Sequence, residues 1–582
     1  MNAKKSSKTA KYVSALDRAR QYPAGTLHAD GGRLFCTSCN VTLDVSRKTS
    51  IDRHLESEAH MKRKAAAEAE GQSKKQATVS SLFKRTTESS LARREAAFSL
   101  VEAFAAANIP LEKLDHPKLR DYLNQNVPNA GSFPRANKLR QDYLPAVIAS
   151  HVQSTKAALA EYHSFSIVAD EATDPQDNYV LHILFVPGSW TDRDLPVFQT
   201  EPVHLTSVNF STVSQAIVKV IVSYGVDFNK ISAFLSDNAM YMCKAFSDVL
   251  QGMLPNAVHV TCNAHILSLV SDIWRTQFPE VDSLVSSFKK AFKHCPGRKV
   301  RYRESVASQS GDSHGTVPLP PEPVLTRWNS WFNAVRYHAK HMQHYQQFVS
   351  EELEITPSTQ CMLKLRDLLG RGDIQDQVTF VADNATRFME LLTWFEGRQA
   401  VIHHAHNKLM DLISWVEDRA SQELSSCPRE NQRRRDLFQA IAVKLNQYYR
   451  YDPSLPPRFR QPAAPFLSAV RILDPNQVPL LSCDPQLLKA IPGWGKEHDN
   501  ERAAYVNFVK ECQMPVPVPV FWDSVCDRFP HLYALARRCL TIPTNSVDAE
   551  RAISVYGQVF TPQRQRMSPA TAAGCSMLAF NT

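Results

Sequence analysis

Two cysteines and two histidines near the start of the chain have the spacing of a zinc site. Cys36 and Cys39 form a Cys-x2-Cys pair, and His54 and His60 follow as His-x5-His after fourteen further residues. Two thiolates on a turn and two imidazoles from a helix complete the tetrahedral coordination that Zn²⁺ prefers. The expected helix spans 50–62, and its end must distort to bring the second histidine to the metal, because six positions exceed one turn. Such a module folds only with its metal.

Basic side chains surround these ligands. Residues 1–90 carry 17 Lys and Arg against 9 Asp and Glu, a local charge of +8, whereas the whole chain carries +9. Such a patch attracts a polyanion, although a charge run taken alone is more often a solvated tail. Zinc modules also bind proteins, so DNA is favoured by the basic flanks rather than by the metal ligands. The side chains placed to contact DNA phosphates are Arg47, Lys48, Arg53, Lys62, Arg63 and Lys64.

A second candidate site depends on carboxylates that follow strands. Segments 165–169 and 231–236 are short runs rich in β-branched and aromatic residues, and Asp170 and Asp237 come directly after them. Two strands that end in Asp at the same edge of a sheet can hold a pair of divalent ions for in-line phosphoryl displacement. Either Asp alone is more often a turn former or a helix cap, so each is a weak candidate by itself.

The elements around these carboxylates alternate between strands and helices. A third strand is expected over 179–186, and the apolar spacing from Val213 to Ile221 predicts an amphipathic helix that ends near Gly225. From about residue 267 to residue 540 the pattern is mostly helical. The sequence therefore predicts an α/β unit followed by a long helical stretch. Within that stretch, an apolar helix carries a histidine cluster to which no metal is assigned, namely His403, His404 and His406.

Length and composition exclude several classes of protein. The chain has 582 residues, of which 43% are hydrophobic and 21% are charged, so it is neither a small disulfide scaffold nor globally disordered. The N-terminus is polar and Lys-rich without an apolar signal region, and no segment approaches the about 18 apolar residues of a membrane span. We therefore expect an intracellular protein with reduced cysteines and no membrane segment.

Seven short motifs follow one another along the chain. They are VADEATD at 168–174, LSDNAMYM at 235–242, CNAHILSLV at 262–270, TRWNSW at 326–331, ILDP at 472–475, FW at 521–522 and IPTNSVDAERAIS at 542–554. In this order they resemble the motifs of the hAT transposase superfamily, and the match spans about residues 97–581. Several separated motifs are far more specific than any one of them.

This resemblance implies a fold and an active site. The fold is an α/β ribonuclease-H-like catalytic domain interrupted by a large all-α insertion, with a small N-terminal zinc finger before it. The implied acidic triad is Asp170, Asp237 and Glu550, which would hold catalytic Mg²⁺ or Mn²⁺. The 312 residues between the last two acids account for the helical stretch. By the same resemblance, Cys262 and His265 lie beside the active site, although a core cysteine and a satisfied histidine are the simpler reading of their spacing.

The resemblance also implies contacts with DNA and with further copies of the chain. Arg327 and Trp328 match an element whose Trp stacks on a base flipped out during hairpin formation, although Trp328 alone reads as a core aromatic. Residues 521–581 resemble the dimerisation region of the superfamily, so a dimer or higher oligomer is expected. Ala549 and Ile553 depart from the common residues of that family, but both are conservative packing changes.

The N-terminal region resembles a second family. Residues 7–145, through LHADGGRLFCTSCNVTL, ANIPLEKLDHP and QDYLP, are similar to the CGG triplet-repeat-binding proteins. That resemblance implies binding to double-stranded DNA and residence in the nucleus. Basic clusters at 62–64 and 74–75 are also typical of a bipartite nuclear import signal, although a helix end that runs into a solvated linker explains them equally well.

These signals divide the chain into seven segments. The first four are a disordered basic tail (1–25), the BED-like zinc finger (26–64), a linker (65–94) and a helical DNA-binding or dimerisation segment (95–150). The last three are the first part of the ribonuclease-H-like domain (151–270), the helical insertion (271–520) and the C-terminal part of the catalytic domain with the dimerisation region (521–582).

Together the two resemblances predict a hAT-type DNA transposase. It would bind transposon terminal inverted repeats and target DNA as double strands, and it would cleave and join DNA with the help of metal ions. The alternative is a domesticated, transposase-derived nuclear regulator that binds DNA without cutting it. A third reading is a zinc-dependent transcriptional repressor that acts through protein contacts. The presence of all three acids favours the transposase.

Overall fold

The computed structural model divides into two units, which are described separately. One comprises Met1–Ser99 and His116–Pro134, and the other comprises Leu100–Asp115 and Arg135–Thr582. The structure describes residues 13–69, 79–127, 133–190, 194–310, 317–324, 329–357, 359–450, 452, 454–456, 459–481, 484–511, 516–564 and 566–582.

A small antiparallel sheet and short helices form the first unit. The first two strands are joined by Gly31 and Gly32, whose φ angles of 56° and 78° suit a two-residue hairpin turn, because its twist matches that of the strands. The buried core contains Leu34, Cys36 and Ile51. The elements are α1 (Ala15–Ala19), β1 (Leu27–Asp30), β2 (Arg33–Cys36), β3 (Val41–Leu43), α2 (Lys48–Leu55), α3 (Glu58–Ala69), α4 (Val79–Ala106, whose last residues belong to the second unit) and α5 (Pro117–Asn126).

The folded module begins before the expected boundary at residue 26. Ala15 is buried in its core. The Arg18 Nε donates a hydrogen bond to the Val45 carbonyl at 3.0 Å, and the Tyr22 hydroxyl donates to Asp52 at 2.6 Å. The segment just before the zinc ligands is therefore part of the module rather than a tail, because α1 packs on β1 and β2 and Ala15 joins the core.

The segment expected to be a linker, 65–94, is helical wherever the structure describes it. The helix α3 extends to Ala69, and α4 begins at Val79. Ala, Glu, Lys and Arg are frequent here, and these residues are strong helix formers as well as common linker residues. A composition poor in large apolar residues is therefore a misleading sign of irregular structure.

A mixed sheet of six strands lies at the centre of the second unit. The order is β6-β5-β4-β8-β9, with β7 also paired to β5; β4 and β5 are antiparallel, whereas β4, β8 and β9 run parallel. The three predicted strands are confirmed, and the three that were missed have only two to four residues each. The elements up to this point are α6 (Ala136–Lys138), α7 (Leu144–Ala160), β4 (Phe165–Thr173), β5 (Tyr179–Pro187), β6 (Phe198–Gln199), β7 (Val203–Leu205), α8 (Phe210–Tyr224), β8 (Ile231–Ser236), α9 (Met240–Ala245), α10 (Gln251–Met253) and β9 (Val258–Thr261).

Side chains of the central strands alternate between two apolar cores. On β4, Ile167 enters the core shared with α8, whereas Val168 enters the core shared with the later helices. Phe234 and Leu235 of β8 divide in the same way. This alternation is the period of two expected for a sheet buried on both faces. The helix α8 ends at Gly225, which has a φ of 71°, as the sequence predicted.

Helices make up most of the chain between β9 and the last two helices, as expected. Trp274 is fully buried, and its ring meets those of Phe332, Phe388 and Phe438 at centroid distances of 5.7–6.0 Å. These helices are α11 (Asn263–Gln277), α12 (Pro279–Phe292), α13 (Pro296–Ser310), α14 (Ser330–His341), α15 (Tyr345–Ile355), α16 (Gln360–Leu369), α17 (Ile374–Phe395), α18 (Ile402–Ser421), α19 (Pro428–Tyr449), α20 (Ala464–Ala469), α21 (Pro485–Leu488), α22 (Lys496–Glu511), α23 (Val518–Ser524) and α24 (Pro530–Cys539).

The last two helices return to the sheet. The helix α25 (Val547–Val559) packs against β4 and β5, and α26 (Pro569–Asn581) packs against α25, α7 and β6. The chain thus leaves the sheet after β9 and comes back to it near its C-terminus. In the part of the chain that the structure describes, no helix combines the length and the apolar character needed to cross a membrane.

Candidate functional site

The four predicted zinc ligands converge in the first unit. Cys36 ends β2, Cys39 lies in the turn before β3, and His54 and His60 lie on α2 and α3. One ligand atom of each residue lies within 4.8 Å of those of the other three. The Nδ1 of His60 is 3.4 Å from the Cys36 Sγ and 3.3 Å from the Cys39 Sγ. Tetrahedral zinc, with Zn–S near 2.3 Å and Zn–N near 2.0–2.1 Å, places sulfur and nitrogen about 3.5 Å apart, so this spacing fits.

The helix expected to carry both histidines is broken into α2 and α3. On one continuous helix, His60 would lie about 240° around the axis from His54, since each residue advances the helix by about 100°. Ser57 lies at the break, where its hydroxyl donates to the His54 carbonyl at 2.7 Å and accepts from the His60 N–H at 3.3 Å. The break brings both imidazoles to the cysteines.

The chemistry of this cluster suits a transition metal. Burial raises the pKa of Cys36, and burial together with His60 and Arg63 lowers the pKa of His54, which keeps that imidazole neutral. Among the described residues, the buried Nε2 of His54 has no hydrogen-bond partner. A ring nitrogen left without a partner is costly, and a metal bond removes that cost. The cluster is a Cys2His2-like metal site compatible with zinc.

The basic side chains predicted to contact DNA are all exposed. One precedes α2, two lie on it and three lie on α3, so they flank the metal ligands on the helices. Their exposure leaves them accessible to a polyanion, and their role in DNA binding stays a prediction. They are Arg47, Lys48, Arg53, Lys62, Arg63 and Lys64.

In the second unit, Asp170 and Asp237 lie on neighbouring strands. The parallel register pairs Val168 of β4 with Leu235 of β8, and each Asp follows its paired residue by two positions. Asp237 follows β8 as predicted. Asp170 lies inside β4 rather than directly after it, because pairing with β5 extends the strand and sets Asp170 opposite His182.

The third acid reaches this place from far along the chain. Glu550 lies in the first turn of α25, the helix that packs against β4. Its Oε1 is 3.0 Å from the Nε2 of His265, and the ligand atoms of Asp170, His265 and Glu550 lie within 4.8 Å of one another. The fold therefore brings together residues that the sequence separates by up to 380 positions.

Burial raises the pKa values of the two aspartates, and repulsion by neighbouring carboxylates adds to this effect at Asp170. Burial, Asp237 and Glu550 raise the pKa of Asp170 to about 7, against the opposing effect of His265. Burial also raises the pKa of Asp237, although the Ala239 N–H and His265 act in the other direction. Carboxylates this close repel unless a proton or a cation lies between them. Oxygen donors of this kind are those that Mg²⁺ and Mn²⁺ prefer.

Cys262, which is buried, and His265, which is partly exposed, form a pair beside the acids. Cys262 precedes α11, and its Sγ accepts the Ser546 N–H at 3.2 Å. Burial opposes charge on both groups, but their interaction prevails: His265 and Ser546 lower the pKa of Cys262, while Cys262 and Glu550 raise the pKa of His265 to about 11. The protonated His265 ring thus lies between a thiol whose pKa is lowered and the carboxylate of Glu550.

Sequence reasoning missed the residues that fix α25. Asp548 lies two positions before Glu550, and its carboxylate accepts from the Arg398 Nη2 at 2.6 Å and the Arg551 Nη1 at 2.8 Å. Arg551 also donates to a backbone carbonyl of the loop between α17 and α18, at 2.9 Å. This loop thus holds the start of the helix that presents the third acid. No local signal could have found a pair separated by 150 residues.

A fourth carboxyl group borders the site and was also missed. Glu171 follows Asp170, and its Oε2 accepts from the Tyr241 hydroxyl at 3.4 Å. Burial and Asp237 raise the pKa of Glu171, while the bond from Tyr241 lowers it. Its position inside the VADEATD motif is the signal that could have drawn attention to it.

Two predicted DNA contacts, Arg327 and Trp328, lie outside the described residues. The described chain resumes at Asn329, which has a φ of 58° and whose Nδ2 donates to the Met389 carbonyl at 3.2 Å. The roles of Arg327 and Trp328 stay predictions.

Comparisons with known proteins match three parts of the chain. The CGGBP1 N-terminal domain matches residues 9–66, the CGGBP1 helical domain matches 87–146, and the hAT family C-terminal dimerisation region matches 502–579, starting before the expected residue 521. CGG triplet repeat-binding protein 1 of Mus musculus and that of Homo sapiens are each 44% identical over 143 residues, which is 25% of this chain and 85% of either relative. Through its N-terminal part this chain belongs to the family of CGG triplet repeat-binding protein 1, and near its C-terminus it carries the dimerisation region of the hAT family.

Proposed function

We propose that this chain is a hAT-type DNA transposase, which binds transposon ends and catalyses metal-dependent DNA cleavage and strand transfer. The proposal depends on one observation above all: ligand atoms of Asp170 and Glu550 lie within 4.8 Å of each other, and Asp237, which follows the strand paired with that of Asp170, raises the pKa of Asp170. In this proposal the sheet with its flanking helices is a ribonuclease-H-like domain, and the helices between β9 and α25 are its insertion. The hAT dimerisation region at 502–579 supports the same assignment.

The three carboxylates are proposed to hold Mg²⁺ or Mn²⁺. When bound, the two ions activate water or a terminal 3′-hydroxyl and stabilise the leaving oxygen of the displacement. The chain itself positions the donors: β4 and β8 hold the two aspartates in register, and α25 brings Glu550 to them. The raised pKa of Asp170 supports this proposal, because a divalent cation relieves the repulsion that raises it.

His265 is proposed to contact the DNA backbone at this site. Its side chain is 28% exposed, so one face of the ring is accessible. A protonated imidazole donates a strong hydrogen bond to a phosphate oxygen. Cys262 would then be the counter-ion that keeps the ring protonated and oriented, and no covalent intermediate on the thiol is needed.

The N-terminal unit is proposed to bind double-stranded DNA as a zinc finger of the BED-like kind. Zinc at Cys36, Cys39, His54 and His60 would hold the fold, and the exposed basic side chains of α2 and α3 would contact phosphates. The name of the relatives, CGG triplet repeat-binding protein 1, supports DNA as the partner. A protein that binds chromosomal DNA would act in the nucleus, which is the proposed location.

Two further contacts complete the proposed complex. Arg327 and Trp328 would bind DNA at the active site, with the Trp ring stacked on an extruded base. Residues 502–579 would join two or more copies of the chain, so that two transposon ends are held together.

The test is an assay of nicking and hairpin formation on the native element ends. Wild type is expected to cut them in Mg²⁺ or Mn²⁺, and Asp170→Asn, Asp237→Asn and Glu550→Gln are expected to lose about 1,000-fold or more of the rate. Asp248→Asn changes an exposed acid of the same unit and should cut like wild type. Equal cleavage by wild type and Asp170→Asn would show that the catalytic assignment is wrong.

A second candidate function is that of a domesticated nuclear regulator that binds DNA without cutting it. It is favoured by one observation: a quarter of this chain covers 85% of the CGG triplet repeat-binding relatives, so this part makes up most of those proteins. Wild type that binds the element ends but leaves them intact in both Mg²⁺ and Mn²⁺ would support this function.

A further inference from the structure

A second cluster of imidazole and carboxylate groups lies in the helical stretch. His403 and His404 lie in the first turn of α18, and Asp474 follows a 3₁₀ turn some seventy residues later. One ligand atom of each residue lies within 4.8 Å of those of the other two, and the His403 Nε2 is 4.0 Å from the Asp474 Oδ2. These neighbouring histidines therefore lie beside a carboxylate that is distant in the sequence and reaches them only in the folded chain.

The carboxylate of this cluster is buried without a fixed positive charge. The Asp474 side chain is fully buried, and among the described residues no Lys or Arg nitrogen lies within 4.0 Å of it. Its ion-pair partner is His403, which is a cation only when protonated. A buried ionised carboxylate is costly without a cation. The Nδ1 of His403, whose side chain is 9% exposed, is itself buried and has no hydrogen-bond partner in the described part of the chain.

Hydrogen bonds hold these groups in place while one carboxylate oxygen still faces the imidazoles. The Oδ1 of Asp474 accepts from the Asn476 backbone at 3.0 Å, which closes a local turn. The Gln477 Nε2 donates to the Asp474 Oδ2 at 2.7 Å and to the His403 carbonyl at 2.9 Å, and it lies 3.4 Å from the His404 Nδ1. Groups that orient ligands in this way are typical of the surroundings of metal sites.

Two buried aromatic side chains fix the backbone just before Asp474. The Trp522 Nε1 donates to the Leu473 carbonyl at 2.8 Å, and the Tyr505 hydroxyl donates to the Ile472 carbonyl at 2.9 Å. The residue just before Asp474 is therefore anchored in the core, so the carboxylate is presented at a fixed place.

A cavity gives access to the two histidines. It has a volume of about 310 Å³, and its walls include Trp190, Val518 and Leu540 as well as His403 and His404. A space of this size holds several water molecules, so water can complete a coordination shell that the protein leaves open.

We propose that His403, His404 and Asp474 bind Zn²⁺, with water from the cavity as a further ligand. Two imidazoles and one carboxylate, with one position left to water, form a donor set that zinc takes in proteins. Mg²⁺ prefers sites dominated by oxygen, so this cluster and the acids of the sheet edge select different ions. The bound ion would cross-link the start of α18 to the segment before α21. This site is independent of the proposed transposase activity.

The test measures the zinc content of the full-length protein. The protein is saturated with Zn²⁺ in a buffer that contains excess Mg²⁺, and the unbound metal is removed before zinc per chain is determined. His404→Ala and Asp474→Asn are expected to hold about one zinc per chain less than wild type. His404 is exposed, and Asn keeps the Oδ1 acceptor of the local turn, so both variants should fold. His406→Ala changes a neighbouring histidine outside the cluster and should keep the wild-type content.

Cobalt distinguishes this site from the N-terminal one. In a protein with Cys36→Ser and Cys39→Ser, Co²⁺ should still give ligand-field absorption but no thiolate-to-cobalt charge transfer, and His404→Ala should remove that absorption. Equal zinc content in wild type, His404→Ala and Asp474→Asn would overturn the proposal. Equal losses in these variants and in His406→Ala would also overturn it.

Discussion

Two of the candidate metal centres, the N-terminal one and the one at the sheet edge, are built in opposite ways. The four ligands of the N-terminal centre fall within 25 residues, whereas the acids of the sheet edge span 381 residues. Among the described residues, the apolar cluster that contains Cys36 has five buried members, but two large cores enclose the sheet. A metal must therefore supply much of the stability of the first centre. At the sheet edge the fold itself brings the acids together, and a bound metal would relieve their repulsion.

The largest effect is expected from removing zinc from the N-terminal unit. We expect chelation of zinc, or Cys36→Ser, to unfold residues 13–69, because structural zinc contributes about 10–16 kcal/mol in such modules. Hydrogen exchange measured by peptide should show loss of protection in β1, β2 and β3 and none in β4 or β8. Cys295→Ser, which changes a cysteine outside the cluster, is the control. Protection that survives chelation in β2 would contradict the expectation.

The same contrast explains how far the sequence predicted the molecule. The Cys and His spacing, the strand runs and the helix that ends at Gly225 are local patterns, and local patterns can be read from one sequence. The break at Ser57 is predictable only as a distortion, because its hydrogen bonds depend on the folded turn. The carboxylate triad came from a resemblance, because nothing in the spacing of Glu550 links it to β4.

Other features depend on tertiary contacts that no local pattern encodes. Strands as short as β6 exist because β5 offers them an edge to pair with. The start of α4 has a polar composition that fits a linker and a helix equally well. The pair of Arg398 with Asp548, and the approach of Asp474 to His403, join segments far apart in the chain.

Repulsion among the acids of the sheet edge should make the stability of the second unit depend on pH. Asp170 has a pKa of about 7 in the folded chain against about 3.9 when unfolded, so the folded state binds the proton more tightly. Without divalent ions, the free energy of unfolding should therefore fall as pH rises from 4 to 7, by up to about 4 kcal/mol. His265, with its pKa raised to about 11, adds a further fall between pH 6.5 and 11.

Urea denaturation in Mg²⁺-free buffer at pH 5 and pH 7 checks this slope. Asp170→Asn should be less sensitive to pH over this range, and Mg²⁺ should raise the stability of wild type but not that of the variant. If the free energies of unfolding of wild type and Asp170→Asn changed with pH in parallel, neighbouring carboxylates would not be raising the pKa of Asp170.

The N-terminal centre is also expected to carry the main electrostatic contact with DNA, which the sheet-edge centre does not. Replacing Lys62, Arg63 and Lys64 by Ala should weaken binding of a duplex by roughly tenfold or more. The salt dependence of binding should become shallower by about 0.9 for each DNA phosphate that these side chains no longer neutralise. Zinc content should not change. Arg63→Lys keeps the charge and is the matched control. An unchanged salt slope in the triple variant would place the DNA interface elsewhere.

The smallest expected effect concerns the positioning of Glu550. Arg398→Ala should slow cleavage about three- to tenfold while the Kd for DNA stays unchanged, because α25 loses a bond to its first turn but the acids remain. Arg398→Lys should restore part of the rate. Asp548 is mostly buried, so Asp548→Asn should act in the same direction. A loss of DNA affinity in place of rate would identify Arg398 as a DNA contact instead.

The loop between α17 and α18 limits how far this protein can be shortened. A minimal version that deletes the helical excursion and joins its ends with a flexible peptide would keep every acid of the sheet edge. It would nevertheless lose Arg398, whose backbone carbonyl accepts the Leu195 N–H at 2.9 Å and whose side chain binds Asp548. A compact version must therefore include a new basic side chain that binds Asp548 at the start of α25, as well as a peptide that joins the two ends.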